Sequence, residues 1–179
     1  MIDQDIPIYS KNNFESMDKA GSLAAKVLDE LKNLIKPGLS TLEINDFCHQ
    51  MIISNDAIPA PLNYKGFPKS VCTSVNHVVC HGIPSQNKIL QDGDIINVDV
   101  TVIIDGWHGD SSRMFVAGNI NKKIYSLLQT TYECLLIGIK HALPGKNLGD
   151  IGFEIQQYAE KKNYSVVRDF CGHGIGKVF

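Results

Sequence analysis

The sequence predicts an α+β fold that consists of two related α/β halves, the second of them incomplete. Two observations support this prediction. A helix–Pro-Gly–helix pattern occurs twice, around Pro37-Gly38 and again 107 residues later around Pro144-Gly145. Only the first copy is followed by alternating apolar and polar residues on both sides of Asp105-Gly106, which is the pattern of a β-hairpin. We therefore expect helices packed on an antiparallel sheet in the first half.

Chain length and composition are typical of one soluble globular domain, which we expect to span residues 1–179. Hydrophobic residues make up 44% of the chain and charged residues 20%, which allows a sizeable core. The net charge of −2 gives no broad attraction to nucleic acid or anionic lipid, and no apolar run approaches the roughly 18 residues of a membrane span. Five cysteines without a Cys-x-x-Cys pair favour a reduced, cytoplasmic chain without a structural zinc site.

Two helices open the first copy. Apolar residues recur at helical spacing over residues 14–36, and Pro37-Gly38 ends the pattern. Ser40 and Glu43 have the spacing of a capping box, which predicts the start of a second helix. The residues expected to face inward are Met17, Ala20, Ala24, Val27, Leu28, Leu31 and Leu34 in the first helix, and Ile44, Phe47, Cys48, Met51 and Ile52 in the second.

The second copy repeats the helices but not the hairpin. Asn147 and Asp150 stand where Ser40 and Glu43 stand in the first copy, again as a cap and an acidic first turn. A strand is predicted over residues 165–171, followed by a Gly-rich turn. The first half then covers about residues 1–118 and a partial second half about 119–179, so we interpret the sequence as C-terminally truncated. The alternative is two unrelated helix pairs, each ended by a common Pro-Gly stop.

The β segments of the first copy follow its helices. We expect a loop at 56–70, short strands near 71–80, a turn around Ile83-Pro84 and a strand pair over 94–117. These strands should form the antiparallel sheet on which the helices pack.

The predicted hairpin places two carboxylates together. A two-residue turn at Asp105-Gly106 pairs Thr101 with Asp110 and Asp99 with Ser112. Asp99 and Asp110 are then diagonal neighbours on one face of the ribbon. Two carboxylates held this close repel each other unless a proton or a cation lies between them. The pattern therefore predicts one or two divalent metal ions.

The alternative interpretation of these acids is a solvated edge with turn residues. Asp105, as the turn residue itself, fits that interpretation well. Asp99 fits it poorly, because its neighbours Val98 and Val100 have the pattern of a buried strand.

Four ordered motifs resemble those of type I methionine aminopeptidases, and the similarity extends over nearly the whole chain. The motifs are Ser74-Val-Asn-His-Val-Val-Cys-His-Gly-Ile-Pro84, Asp92-Gly-Asp-Ile-Ile-Asn-Val-Asp-Val-Thr101, Asp105-Gly-Trp-His-Gly-Asp-Ser-Ser-Arg-Met-Phe115 and Cys171-Gly-His-Gly-Ile-Gly176. The resemblance implies the pita-bread (creatinase/aminopeptidase) fold, in which two pseudo-symmetric α/β halves enclose a two-metal centre. This agrees with the repeat found in the sequence.

The resemblance also implies a ligand set of two Asp, one His and two Glu. Asp99 and Asp110 match the two Asp, and His173 matches the His. The two Glu, and a second active-site His expected directly after Phe179, have no counterpart in the 179 residues. Such ligands suit two ions of Co, Mn, Fe or Zn, and the sequence leaves the choice of metal open.

Further positions match residues that contact substrate in the family. His81 matches a catalytic, substrate-facing His that would hydrogen-bond the substrate amide and the tetrahedral intermediate. The positions that match the methionine side-chain pocket are Tyr64, Phe67, Cys72 and Phe179. Pro61 departs from relatives that have Cys there, so this wall of the pocket can differ. We expect no ligand role for His77 or His108.

The implied function is a metalloaminopeptidase that removes the initiator methionine from nascent polypeptide N-termini near the ribosome. We expect a monomer in the cytoplasm, without nucleic-acid or membrane partners. With three of five ligands and one of two active-site His, these 179 residues alone are expected to be inactive. Two alternatives remain, a non-catalytic pita-bread module that binds a peptide or protein, and a proline-specific peptidase of the same fold.

Overall fold

The computed structural model describes residues 6–179 and has the predicted α+β architecture. Two helices come first, followed by an antiparallel sheet and then by two more helices. The elements are α1 (Lys11–Leu31), α2 (Thr41–Ile53), β1 (Ile58–Pro59), β2 (Cys72–Val75), β3 (Asp94–Ile104), β4 (Trp107–Ala117), α3 (Lys122–His141) and α4 (Leu148–Lys161). Over these described residues no helix is long and apolar enough to cross a membrane.

The chain divides into two compact units. The larger contains the residues up to Asn119 together with Gly174–Phe179, and the smaller contains Ile120–His173. The larger unit holds α1, α2 and the sheet, and the smaller holds the helix pair α3 and α4. The assignment of all residues to a single domain stays a prediction.

The sheet of the larger unit is built around β3. Strands β1, β2 and β4 all pair antiparallel with β3. Alternate residues Val98, Val100 and Val102 are fully buried on one face of β3, and the buried face of α1 belongs to the same core. This alternation is what a strand with one buried face requires.

Helix α1 ends earlier than the sequence predicts. It stops at Leu31 rather than at residue 36, and the backbone N–H groups of Leu34 and Ile35 close the last turn on the Leu31 carbonyl. The following residues leave the helix because they bond elsewhere: the Gly38 N–H donates to the Leu90 carbonyl at 2.8 Å. Leu34 and Ile35 still pack against the core from the turn that follows the helix. For this reason the apolar spacing in the sequence continues past the end of the helix.

The capping box of α2 is confirmed. The Glu43 N–H donates to Ser40 Oγ at 3.2 Å, and the Ser40 N–H donates to a Glu43 carboxylate oxygen at 2.8 Å. The bonds from Ser40 lower the pKa of Glu43. Ile44, Cys48 and Ile52 are fully buried, so the predicted inward face of α2 is also confirmed.

The second copy of the helix pair has the predicted caps but lacks the predicted strand. The Asn147 N–H donates to Asp150 Oδ2 at 3.0 Å in a second capping box, and Gly145 has positive φ like Gly38. The strand predicted over 165–171 is wrong, since these residues are irregular. Within Ile120–His173 the structure has no strand with which this segment could form a ladder.

A glycine lets α1 approach the hairpin closely. Gly109 lies in β4 opposite Val102, on the core face of the sheet. A Cβ atom at Gly109 would overlap the main chain of Ala20 and the Gly21 nitrogen, whereas a Cβ at Gly21 would meet nothing within 4 Å. The close contact between helix and sheet thus requires glycine at position 109 of the strand. It does not require glycine at position 21 of the helix.

We predict that Gly109→Ala lowers the free energy of unfolding by about 3 kcal/mol, because the added methyl meets main-chain atoms that cannot rotate away. Gly21→Ala is the matched control on the helix, and it should raise the free energy of unfolding by about 0.5–1 kcal/mol through helix propensity. Urea unfolding followed by circular dichroism measures both values. Similar effects of the two substitutions would contradict the close approach.

Candidate metal and substrate site

The hairpin turn has the conformation that the sequence predicts. Asp105 and Gly106 have φ angles of 52° and 79°, both in the left-handed region that a two-residue turn between antiparallel strands favours. The resulting register pairs Thr101 with Asp110 and Asp99 with Ser112, as predicted. Because side chains alternate along a strand, Asp99 and Asp110 lie on one face of the sheet, opposite to the buried valines.

Asp110 is held in place by its cross-strand neighbour. The buried hydroxyl of Thr101 donates to Asp110 Oδ1 at 2.8 Å. This bond orients the carboxylate from the facing strand. A half-buried carboxylate with a preset orientation is a suitable ligand for a hard divalent cation.

Cys72 lies beside the two carboxylates. It pairs with Asp99 across β2 and β3, so the two side chains share a face. Burial, and after it the negative charge of Asp99, raises the pKa of Cys72 to about 12, and Asp110 acts in the same direction. Both acids therefore bring negative charge to one small region of the sheet.

This arrangement fits a divalent metal as a pair of carboxylate ligands. Oxygen donors of this kind suit Mn, Fe, Co or Zn in combination with an imidazole. Over residues 6–179 no group of three or more His, Cys, Asp or Glu side chains is placed so that it could hold one metal ion. His173 is an exposed residue of the smaller unit. The ligand set Asp99, Asp110 and His173 therefore stays a prediction.

His81 has an unusual backbone conformation next to the sheet. Its φ angle is 55°, in the left-handed region that non-glycine residues rarely occupy, and its side chain is exposed. The next residue is fixed on both sides: the Thr73 N–H donates to the Gly82 carbonyl at 2.8 Å, and the Gly82 N–H donates to Ser74 Oγ at 3.1 Å. A Cβ at Gly82 would overlap the Thr73 carbonyl, so only glycine permits this approach. Strained residues held by their surroundings are common at functional sites.

Two of the four predicted pocket residues contact each other. The rings of Tyr64 and Phe179 lie 4.6 Å apart between centroids, and the Tyr64 hydroxyl donates to the backbone oxygen of Phe179 at 2.9 Å. Phe67 is half-buried and closes the turn that carries Tyr64, since its carbonyl accepts from the Asn63 N–H at 2.8 Å. Pro61, the departure from the family pattern, is buried.

One residue of this region was missed by the sequence analysis. His108 is buried, its ring stacks on Phe179, and Nδ1 lies 3.0 Å from the Gly176 carbonyl oxygen. Strand periodicity places His108 on the same face as Asp110, and this signal was available in the sequence. The contact of His108 with Gly176, 68 positions later in the chain, was not available there. His77 is exposed, and its expected lack of a ligand role stays a prediction.

Comparisons with known proteins identify a family. Residues 15–179 match the model of metallopeptidase family M24. The methionine aminopeptidase of Rickettsia prowazekii is 58% identical over 174 residues, which are 97% of this chain and 67% of that protein. The crystal structure of the methionine aminopeptidase from that organism superposes with a TM-score of 0.95 at 57% identity, covering 97% of this chain and 70% of the other.

A more distant structure shares the fold alone. The X-Pro aminopeptidase of Thermotoga maritima superposes with a TM-score of 0.77 at 18% identity, over 95% of this chain and 47% of that one. The pita-bread fold predicted from the resemblance is thereby confirmed.

We predict that Asp99→Asn speeds alkylation of Cys72 by iodoacetamide about threefold in the presence of EDTA. The thiolate is the reactive form, and removing the neighbouring negative charge lowers the pKa of Cys72, so more thiolate is present at a given pH. Peptide mass spectrometry measures the rate, with the exposed Cys171 as an internal reference.

The control for this experiment is Asp105→Asn. Asn tolerates the left-handed turn conformation, and the rate at Cys72 should stay unchanged. An equal rate in the Asp99→Asn variant and the unsubstituted protein would mean that the Asp99 charge does not reach the thiol.

Proposed function

Since the chain belongs to metallopeptidase family M24, we propose that it acts as a metalloaminopeptidase that removes the N-terminal methionine from polypeptides. The observation that carries the proposal is the hairpin register, which puts Asp99 and Asp110 on one face of the sheet. A module that only binds peptides has no need of two like charges held together. A proline-specific peptidase is not favoured, because the X-Pro aminopeptidase of Thermotoga maritima shares only the fold with this chain.

Divalent metal ions are the cofactors of the proposed reaction. Asp99 and Asp110 would hold them, with His173 as a further ligand, and we propose two ions drawn from Co, Mn, Fe or Zn. When bound, the ions would polarise the scissile carbonyl and lower the pKa of the attacking water. Thr101 keeps Asp110 oriented through its 2.8 Å hydrogen bond, so the carboxylate need not reorganise when a cation arrives.

His81 is proposed to act on the substrate. Its exposed imidazole extends from a backbone that Gly82 anchors to β2, the strand that carries Cys72. An imidazole on an anchored backbone can donate a hydrogen bond to the substrate amide and to the oxygen of the tetrahedral intermediate. The strained φ angle of His81 supports this role, because the surrounding hydrogen bonds maintain it.

The methionine side chain is proposed to bind against Tyr64, Phe67, Cys72 and Phe179. The tilted ring pair of Tyr64 and Phe179 supplies an aromatic wall, and aromatic rings make favourable contacts with a thioether sulfur. Because burial raises the pKa of Cys72 to about 12, its side chain is neutral at physiological pH and behaves as a small apolar group. An unbranched apolar side chain is the ligand that such a pocket favours.

The proposed substrates are the N-termini of nascent polypeptides, met near the ribosome in the cytoplasm. We propose that the protein works as a monomer with a single catalytic domain. A net charge of −2 supports the absence of nucleic-acid partners, since binding to phosphate groups depends on an excess of Lys and Arg.

The metal proposal is tested by equilibrium dialysis of the 179-residue polypeptide against Mn²⁺. We expect Asp99→Asn to weaken binding at least about tenfold, because one anionic ligand becomes neutral, while Asp105→Asn in the exposed turn leaves binding unchanged. Equal affinities of the two variants would argue against a metal at the carboxylate pair.

Activity is tested on the peptide Met-Ala-Ser. We expect these 179 residues by themselves to release methionine at least about 100-fold more slowly than the Rickettsia prowazekii relative, because two Glu ligands of the family have no counterpart among them. Any release should disappear with EDTA and in the Asp99→Asn variant. Turnover comparable with that of the relative would contradict the expected need for these Glu ligands.

A further inference from the structure

A short segment of the larger unit is attached to the hairpin by one histidine. The backbone N–H of His108 donates to the Gly176 carbonyl at 2.8 Å, and Nδ1 of the same residue lies 3.0 Å from that oxygen. A carbonyl oxygen only accepts hydrogen bonds, so Nδ1 carries the proton. Both lone pairs of the Gly176 oxygen are therefore used by His108, which anchors segment 174–179 to the start of β4.

The His108 ring also supports Phe179. Their ring centroids are 5.6 Å apart at an interplanar angle of 12°, a parallel stack, and the other neighbour of Phe179 is Tyr64 at 4.6 Å. The Tyr64 hydroxyl bonds the backbone oxygen of Phe179. The Phe179 ring thus contacts two other rings, those of His108 and Tyr64.

The remainder of the segment contacts a second aromatic pair. The ammonium group of Lys177 lies 5.0 Å from the centre of the Trp107 ring, and Tyr9 packs edge-on against Trp107 at 5.2 Å. A Cβ at Gly176 would overlap the Tyr9 side chain. Trp107 is the only tryptophan in the sequence, so its fluorescence reports on the attachment of this segment.

His108 stands in line with the carboxylates. It is two residues before Asp110 in β4, so the two side chains lie on the same face of the sheet. On the facing strand β3, His108 is paired with Ile103 and Asp110 with Thr101. We propose that His108 is a positioning residue for the methionine pocket. It holds Phe179 in place through the hydrogen bond to Gly176 and the ring stack. This inference rests on the proposed function, which assigns Phe179 to that pocket.

The two contributions of His108 can be separated by substitution. Asn places an amide N–H close to the position of Nδ1 and lacks the ring, whereas Phe keeps a flat ring and lacks the donor. His108→Asn should retain the attachment of Gly176 and lose the support of Phe179. His108→Phe should lose the side-chain bond to Gly176 and keep the support of Phe179, and His108→Ala should lose both, while the backbone bond from residue 108 to Gly176 remains in all three variants.

Trypsin cleavage after Lys177 measures the attachment in the 179-residue polypeptide. The rate of cleavage after Lys177 is divided by the rate after the exposed Lys146. We expect this ratio to rise about fivefold in His108→Ala and His108→Phe, because a fivefold change corresponds to the loss of one hydrogen bond of about 1 kcal/mol. In His108→Asn the ratio should stay near its original value. Trp107 fluorescence should change in the same two variants. His77→Asn, at an exposed histidine, is the control and should change neither measurement.

Saturation-transfer NMR with Met-Ala-Ser and Leu-Ala-Ser measures the pocket. The unsubstituted protein should favour the methionine peptide, and His108→Asn, with its segment attached, should lose that preference, whereas His108→Phe should keep more of it. Asn and Phe variants that behave alike in both measurements, or an Ala variant that matches the unsubstituted protein, would overturn the proposal. Absence of any methionine preference in the unsubstituted protein would instead count against the proposed function, while the cleavage result would still test the attachment by His108.

Discussion

The two-residue turn at Asp105-Gly106 is the constraint on which the rest of the structure depends. Both residues adopt left-handed backbone angles, and the turn sets the pairing of β3 with β4 along the full length of both strands. The register that buries the valines of β3 also turns Asp99 and Asp110 to the opposite face. A shift of one residue would exchange the two sets, placing carboxylates in the core and valines in water, at a large cost in desolvation. The core thereby stabilises the site geometry.

Three consecutive residues of β4 show how stability and the site are coupled. His108 and Asp110 lie on the face that carries the acids, and Gly109 between them lies on the core face against α1. Any side chain at Gly109 would push the helix from the strand, and the displacement would be transmitted to its two neighbours. The same alternation explains why Thr101 can orient Asp110 from the facing strand. Helix packing and site geometry are consequently properties of one hairpin.

The repeated helix pair shows which sequence signals are local. Capping boxes at Ser40 and at Asn147 both form, because a cap involves side-chain and main-chain groups within one turn. The strand predicted at 165–171 does not form in the structure, although its residue types suit a strand. A strand acquires its hydrogen bonds from a neighbour and not from itself, so its own residues do not determine whether it forms. The early end of α1 at Leu31 has a similar cause, since Gly38 beyond it bonds to Leu90, which is distant in the sequence.

The sequence by itself determined the hairpin register, the helix caps, the inward faces of α1 and α2, and the shared face of Asp99 and Asp110, because each of these follows from residues close together in the chain. The tertiary structure decided the roles of residues that meet from far apart. His108 became visible as the support of Phe179 only through its contact with Gly176, 68 residues later in the chain, and the pairing of Tyr64 with Phe179 spans 115 residues. Spacing and propensity report interactions within a helix turn or a hairpin. Contacts between distant segments depend on how the whole chain packs, and no local pattern encodes them.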